Sequence, residues 1–212
     1  KDHIVGHMFR LSYRPNWRWL GMSEADSHVF IEDVEAAWME FCDPVFGSMD
    51  VEGRRSFTEF IREGVGVHTF NGEIFVQPVW DTESTSLFRT KFKTISPKRV
   101  STPGYGTGDR FMRAGVEINR YGKALAYHVQ EDDWPGYGVS NWTRIAATLP
   151  SGRPGMIHVF QPQEDGQTRG ANQFYSVMER LKMLDTLQAT QLQSAVVRAM
   201  YAATIESTLD SE

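Results

Sequence analysis

An α+β fold follows from three observations in the sequence. Its first third holds two stretches with apolar residues at helical spacing behind capping residues. Its middle holds short β-rich runs separated by turn residues. Its end returns to one long helical pattern. Hydrophobic residues make up 41% of the 212 and aromatics 12%, enough for a real core and too many for wholesale disorder.

The elements can be justified in order. "HIVGHMFRLSYRP" mixes β-branched and aromatic residues and stops at Pro15, which reads as a strand. Ser23 and Asp26 open a helix whose stripe is Phe30, Val34, Ala37, Trp38 and Phe41. Glu32, Asp33, Glu35 and Glu40 lie off that stripe, and Pro44 ends it. Ser56 and Glu59 form a second capping box, with Phe57, Phe60 and Ile61 on the apolar face. Phe30, Val34, Trp38, Phe57, Phe60 and Ile61 are the expected helical contribution to the core. Asn71-Gly72 signals a turn. The β-like runs are "EIFVQPVW", "LFRTKFKTI", "AGVEINRYGKALAYHV" and "GMIHVF", the third a hairpin turning near Tyr121-Gly122. "STPGYGTGD" between them is a loop by composition. No internal repeat or low-complexity tract is visible.

Residues 172–212 read as a separate element. Asn172 is the expected N-cap, and Phe174, Val177, Met178, Leu181, Leu184 and Leu187 mark one stripe. "QATQLQS" then turns small and polar before Ala195, Val196, Ala199, Met200 and Ala203. At 1.5 Å per residue the pattern reaches roughly 50 Å, more than a small domain is wide. The large apolar residues of the first half predict packing there. The second half predicts exposure, or contact with other copies of the chain.

Bulk properties exclude several functions. A net charge of −5 is wrong for a protein that grips phosphates with a basic face. Cys42 is the only cysteine, so no disulfide framework exists and a reducing compartment fits. No apolar run approaches a bilayer span, and "KDHIVGHMF" does not read as a signal peptide. The chain begins with Lys1 rather than Met and ends in "ESTLDSE" without a helix stop, so both ends read as cut edges.

Candidate chemistry is sparse. Cys42 sits at a helix end, where its pKa rises, so it reads as structural rather than nucleophilic. The histidines at 3, 7, 28, 68, 128 and 158 show no metal-ligand spacing. "GYGTGD" lacks the Lys-Ser/Thr of a phosphate-binding loop. "DGQTRGAN" places Arg169 and Gly170 before a helix start, where anions can bind, although an ordinary turn and cap is the plainer reading. "RPNWRWL" interleaves Arg14 and Arg18 with Trp17 and Trp19, as a nucleic-acid platform does, but an edge with aromatics packed inward explains it more simply. Glu164-Asp165 has no partner for acid–base work. Catalytic, metal and cofactor sites are therefore expected to be absent. Two other classes stay open: a small hydrolase-type domain using Cys42 or a carboxylate with His68, His128 or His158, and a nucleic-acid-binding module built on Arg14, Arg18 and the tryptophans.

Specific strings go further. "DHIVGHMFRLSYRPNWRWLG", "DVEAAWMEF", "RSFTEFIREGVGVHTFNGEIFVQPVWDT", "LFRTKFKTISPKRV" and "IHVFQPQEDGQTRGANQFYSVMERLKMLDTLQATQLQSAVVRAMYAATIES" occur in order and cover nearly the whole chain. Through them the sequence resembles the portal proteins of tailed bacteriophages, in particular the lambda-type family. The resemblance implies a structural subunit of the virion, assembled in the host cytoplasm into a dodecameric ring at one capsid vertex. Its implied partners are the terminase large subunit, head–tail connector proteins, major capsid or scaffold proteins, and DNA passing non-specifically through the channel, with no membrane. Full-length relatives are more than twice as long and comprise wing, stem, clip and crown. Residues 1–171 would then be a wing-like α+β domain of short strands, hairpins and packed helices. Residues 172–212 would be the helix toward the stem and the start of a truncated clip region. On that reading Gln188, Gln191 and Arg198 are possible subunit or channel contacts.

Overall fold

The computed structural model describes residues 5–6, 9–43, 49–83, 87–104, 108–131, 141–172 and 174–200. The chain divides into two units, Lys1–Gln173 and Phe174–Glu212.

In the first unit, helix α1 spans Glu24–Cys42 and helix α2 spans Phe57–Asn71. Each begins where a serine oxygen accepts an otherwise unsatisfied backbone N–H: Ser23 from Asp26, and Ser56 from Glu59. The Glu59 carboxylate answers the Ser56 N–H at 2.9 Å, completing the capping box. Helix α1 stops at Cys42 because Asp43, which precedes Pro44, is extended. Pro44 itself lies outside the described residues. Asn71-Gly72 is a helix stop rather than a hairpin turn. Gly72 takes φ +80° and its N–H caps His68 O, a conformation natural only to glycine.

Two antiparallel sheets follow. The first has the order β2-β1-β7, with β1 Glu73–Trp80, β2 Thr90–Ile95 and β7 Ile157–Phe160. The second has the order β3-β4-β5-β6, with β3 Met112–Arg113, β4 Val116–Ile118, β5 Ala124–Gln130 and β6 Trp142–Ala146. Ala114 (φ +48°) and Gly115 (φ +82°) turn β3 into β4 with the two positive φ values that a tight hairpin requires. The β4–β5 turn falls at Gly122 as expected, and the Asn119 side chain caps it by accepting from Tyr121 N and Lys123 N. Strands β3 and β6 were not anticipated. The first is two residues long. The second, "WTRIA", is too short to show a period.

Phe75, Ile95, Val100, Val116, Ile118, Tyr127, Val129 and Met156 form one buried core fed by both sheets. Because side chains alternate along a strand, the neighbours of Phe75, Ile74 and Val76, point to the opposite face, toward α2. Of the helical residues expected in the core, only Phe60 is fully buried, while Phe30, Val34, Trp38, Phe57 and Ile61 are half-buried.

The first expected strand is not one. Residues 9–15 have no ladder partner among the described residues and instead run against the helices. Tyr13 N donates to Glu35 Oε1 at 3.0 Å, and the rings of Phe9 and Tyr13 meet Phe57 and Phe30 edge-on at 5.7 and 6.0 Å. Aromatic residues there serve helix packing, which composition alone cannot tell from a strand. His3 and His7 lie outside the described residues.

In the second unit, a 3-10 turn at Tyr175–Val177 leads into helix α3, Met178–Met200. The helix reaches past Ala199 as expected but starts five residues later than an Asn172 cap implies. It buries none of its side chains. Leu181 and Leu184, expected to be packed, are 51% and 50% exposed, on a stripe only one residue wide with Arg180, Lys182 and Asp185 beside it. Ala203 lies outside the described residues.

Candidate functional site

The most organised polar constellation in the first unit is a buried ion cluster at the start of β1. Glu73 opens that strand, and its side chain is 4% exposed. Arg169, from the chain segment before Asn172, meets it with Nε and Nη2, and also donates to the carbonyls of Val100, Ala114 and Pro97. The Gly170 N–H adds a bond to Glu73 Oε2 at 2.7 Å, and His158 Nε2 lies 3.0 Å from the same oxygen. The His158 ring stacks between Phe75 and Phe160 at 4.1 and 4.5 Å. Burial pushes the Glu73 carboxyl up, but the bonds from His158, Arg169 and Gly170 outweigh it and hold the group below its ordinary value. The site admits no extra atoms. A Cβ on Gly170 would lie 2.3 Å from Gly72 O, and one on Gly72 would lie 2.0 Å from Ala171 O.

This placement settles the reading of "DGQTRGAN". The Arg169 guanidinium is consumed by an internal carboxylate and three carbonyls, so it holds a crossing of chain segments rather than an external anion. Sequence reasoning missed Glu73, and it weighed His158 only as a partner for Cys42 or a carboxylate, not for this cluster. The available signal was a single charged residue in each of two apolar β-runs, "EIFV" and "MIHVF".

A second cluster is built on Asp50, which is fully buried. It accepts from the N–H groups of Glu52, Arg54 and Arg55 and from the Arg55 guanidinium, which also reaches Glu63. Burial raises the Asp50 pKa, but the bonds from Arg55 and the backbone lower it further, with a net fall. Aspartate folding its own following turn explains the string "DVEGRR".

The candidate catalytic groups are not assembled. Burial pushes the Cys42 thiol up to about 11, away from the thiolate a nucleophile needs. Among the described residues no hydrogen bond joins Cys42 to a histidine. His158 is held by Glu73, and His128, on β5, lies 3.6 Å from Glu117. His68 lines an apolar cavity of about 420 Å³ between α2 and the first sheet, alongside Phe60, Ile74, Val76 and Val159. Among the described residues no group of three His, Cys, Asp or Glu side chains could hold a metal ion. No helix of the described residues is long and apolar enough to cross a membrane.

The surface is more informative. Trp19 is 85% exposed on a tight turn, residues 16–21, so the tryptophans of "RPNWRWL" are not all packed inward. Arg18 lies over the Trp17 ring at 5.1 Å, and Arg14 is exposed. A groove of about 490 Å³ runs between α1 and the β1–β2 hairpin, lined by Leu11, Val34, Trp38, Phe41 and Phe88 among others. Gln188, Gln191 and Arg198 are all exposed on α3.

The first unit is a well-knit body with exposed apolar surface, and the leucines of α3 are half exposed or more. The chain is 62% identical over its full length to a portal protein of Escherichia phage N15, and 61% identical to portal protein B of Escherichia phage lambda. It spans 40% of each of those proteins. The profile described as "Phage portal protein, lambda family" matches residues 1–212, and the chain belongs to that family.

Proposed function

We propose that this chain is part of a structural subunit of a phage portal: a ring at the capsid vertex through which DNA is packaged and ejected and to which the tail is joined. The observation that carries the reading is identity of 61–62% to two portal proteins over the entire chain. Residues 1–171 serve as the wing, and residues 172–212 lead toward the stem and the beginning of the clip. The exposed leucines of α3 support a helix that is completed by neighbouring material. Gln188, Gln191 and Arg198 face other subunits or the channel. The partners on this reading are other copies of the subunit, the terminase large subunit, head–tail connector proteins, capsid or scaffold proteins, and DNA in transit. The acidic balance suits a channel that passes DNA without holding it, since each phosphate contact adds salt-dependent affinity.

Light scattering of the full-length protein tests the proposal. The expected result is a discrete particle of about twelve subunits. A species that stays monomeric at every concentration would overturn it.

A further inference from the structure

We propose that the 16–21 turn of one copy docks, with Trp19 as anchor, into the aromatic groove beside α1 of a second copy. The contact rests on the portal reading only in requiring that copies of the chain meet.

The turn is ordered by its own hydrogen bonds. Trp19 N and Leu20 N donate to Asn16 O at 3.1 and 3.2 Å, and Met22 N donates to Trp17 O at 3.1 Å. The Asn16 side chain adds a bond to Trp19 N at 3.3 Å, and Gly21 closes the turn at φ +71°. All this order holds Trp19 and Leu20 out in water, at 85% and 45% exposure. An indole contributes nothing to folding there. A pre-ordered tryptophan flanked by arginines has the composition of an interface anchor, with its ordering cost already met.

The groove is its complement. Val34, Trp38 and Phe41 form one wall, and Phe88 with Trp80 the other. Trp80 is 59% exposed, an unusual amount of aromatic surface to leave open. Charge matches too. Arg14 and Arg18 flank the anchor, while Asp33 and Glu40 are exposed on α1 beside Ala37, which lines the groove. Arg89 stands on the hairpin wall, so incoming arginines are directed to the α1 side.

The knob and the socket lie too far apart to meet within one chain. The turn precedes Ser23, the cap of α1, whereas the groove lies along Val34 to Phe41. From the cap to Ala37 is about 20 Å of helix, so the turn cannot reach the groove of its own chain. Knob at one end of α1 and socket at the other is a head-to-tail contact, the kind that closes into rings or continues as filaments.

The test uses the full-length protein, with particle mass measured over a dilution series. Trp19→Ala should raise the half-assembly concentration at least about tenfold. Ala37→Trp, which fills the socket, should do the same. Arg18→Glu should weaken assembly, and adding Glu40→Arg should recover much of it, a rescue that a misfolded variant cannot produce. Circular dichroism melts should leave Trp19→Ala unchanged, because its side chain is already in water. If the wild type forms rings and both Trp19→Ala and Ala37→Trp assemble like it, this contact is wrong and the portal reading stands. A Trp19→Ala defect without an Ala37→Trp defect places the anchor on a different partner surface and overturns the socket. An open filament that these variants dissolve keeps the contact and overturns the closed ring. A wild type that never associates overturns both.

Discussion

The body of the protein buries charges, while its last helix exposes leucines. Glu73 and Arg169 sit inside the first unit with nearly every polar atom answered, and Asp50 is sealed beneath Arg55. Along α3, Leu181, Leu184, Leu187 and Leu192 are all half exposed or more. The usual rule is inverted in both places, for different reasons. A buried ion cluster is tolerable when its geometry satisfies each group, and it then fixes one arrangement of the segments it joins. An exposed leucine stripe is tolerable when the isolated chain is not the working form.

The largest test of that contrast is to break the ion cluster. Arg169→Met should cost about 3–5 kcal/mol in denaturant unfolding, because Glu73 keeps its burial and loses its cation. Combining it with Glu73→Gln should cost less than the single change, and a purely additive double mutant would show that the two groups do not act together. Next comes Phe60→Ala, at about 3 kcal/mol. Phe60 is 6% exposed but borders an open cavity, so the loss belongs at the low end for an aromatic truncation.

Acid should act on the body in the same direction. The folded pKa values of Glu73 and Asp50 lie below their unfolded ones. Their stabilisation is therefore complete above the ordinary carboxylate range and is lost as pH falls through the lowered folded values. Melting temperature should drop across that acid window, and Glu73→Gln should flatten the drop. A melting profile as steep in Glu73→Gln as in the wild type would remove Glu73 from the account.

Smaller effects sharpen the other side. Ser56→Ala removes one cap bond and should cost about 1 kcal/mol. Leu184→Ala should change stability in dilute solution by no more than about 0.5 kcal/mol, since half of the side chain is already in water. A loss of several kcal/mol there would mean that the helix is covered in the isolated chain.

Local signals carried much of this architecture in the sequence. Ser56–Glu59 is a complete capping box, and "EIFVQPVW" is a strand at both of its ends. Such features depend on neighbours a few residues apart. What sequence could not carry was pairing at a distance. Glu73 and Arg169 are 96 residues apart, and nothing local in "DGQTRGAN" says that its arginine points inward. The segment 9–15 failed for the same reason, because a run of aromatic and β-branched residues packs equally well against helices. The exposed Trp19 was visible as composition, while its presentation depended on the Asn16 bonds that form only in the turn.

The close passage of residues 72 and 171 also orders events in time. The β3–β6 meander pairs strands that follow one another along the chain, so it can form once residue 146 exists. Strand β1 pairs with β7, and the backbone at Gly72 abuts Ala171, so that side waits for chain that lies beyond the end of the meander and nearly a hundred residues from Gly72. A growing polypeptide therefore holds α2 and the β1–β2 hairpin half-covered while the meander is already whole. We predict that pulse-labelled amides of β4 and β5 become protected before those of β7 during refolding; simultaneous protection would mean that distant closure is not the slow event.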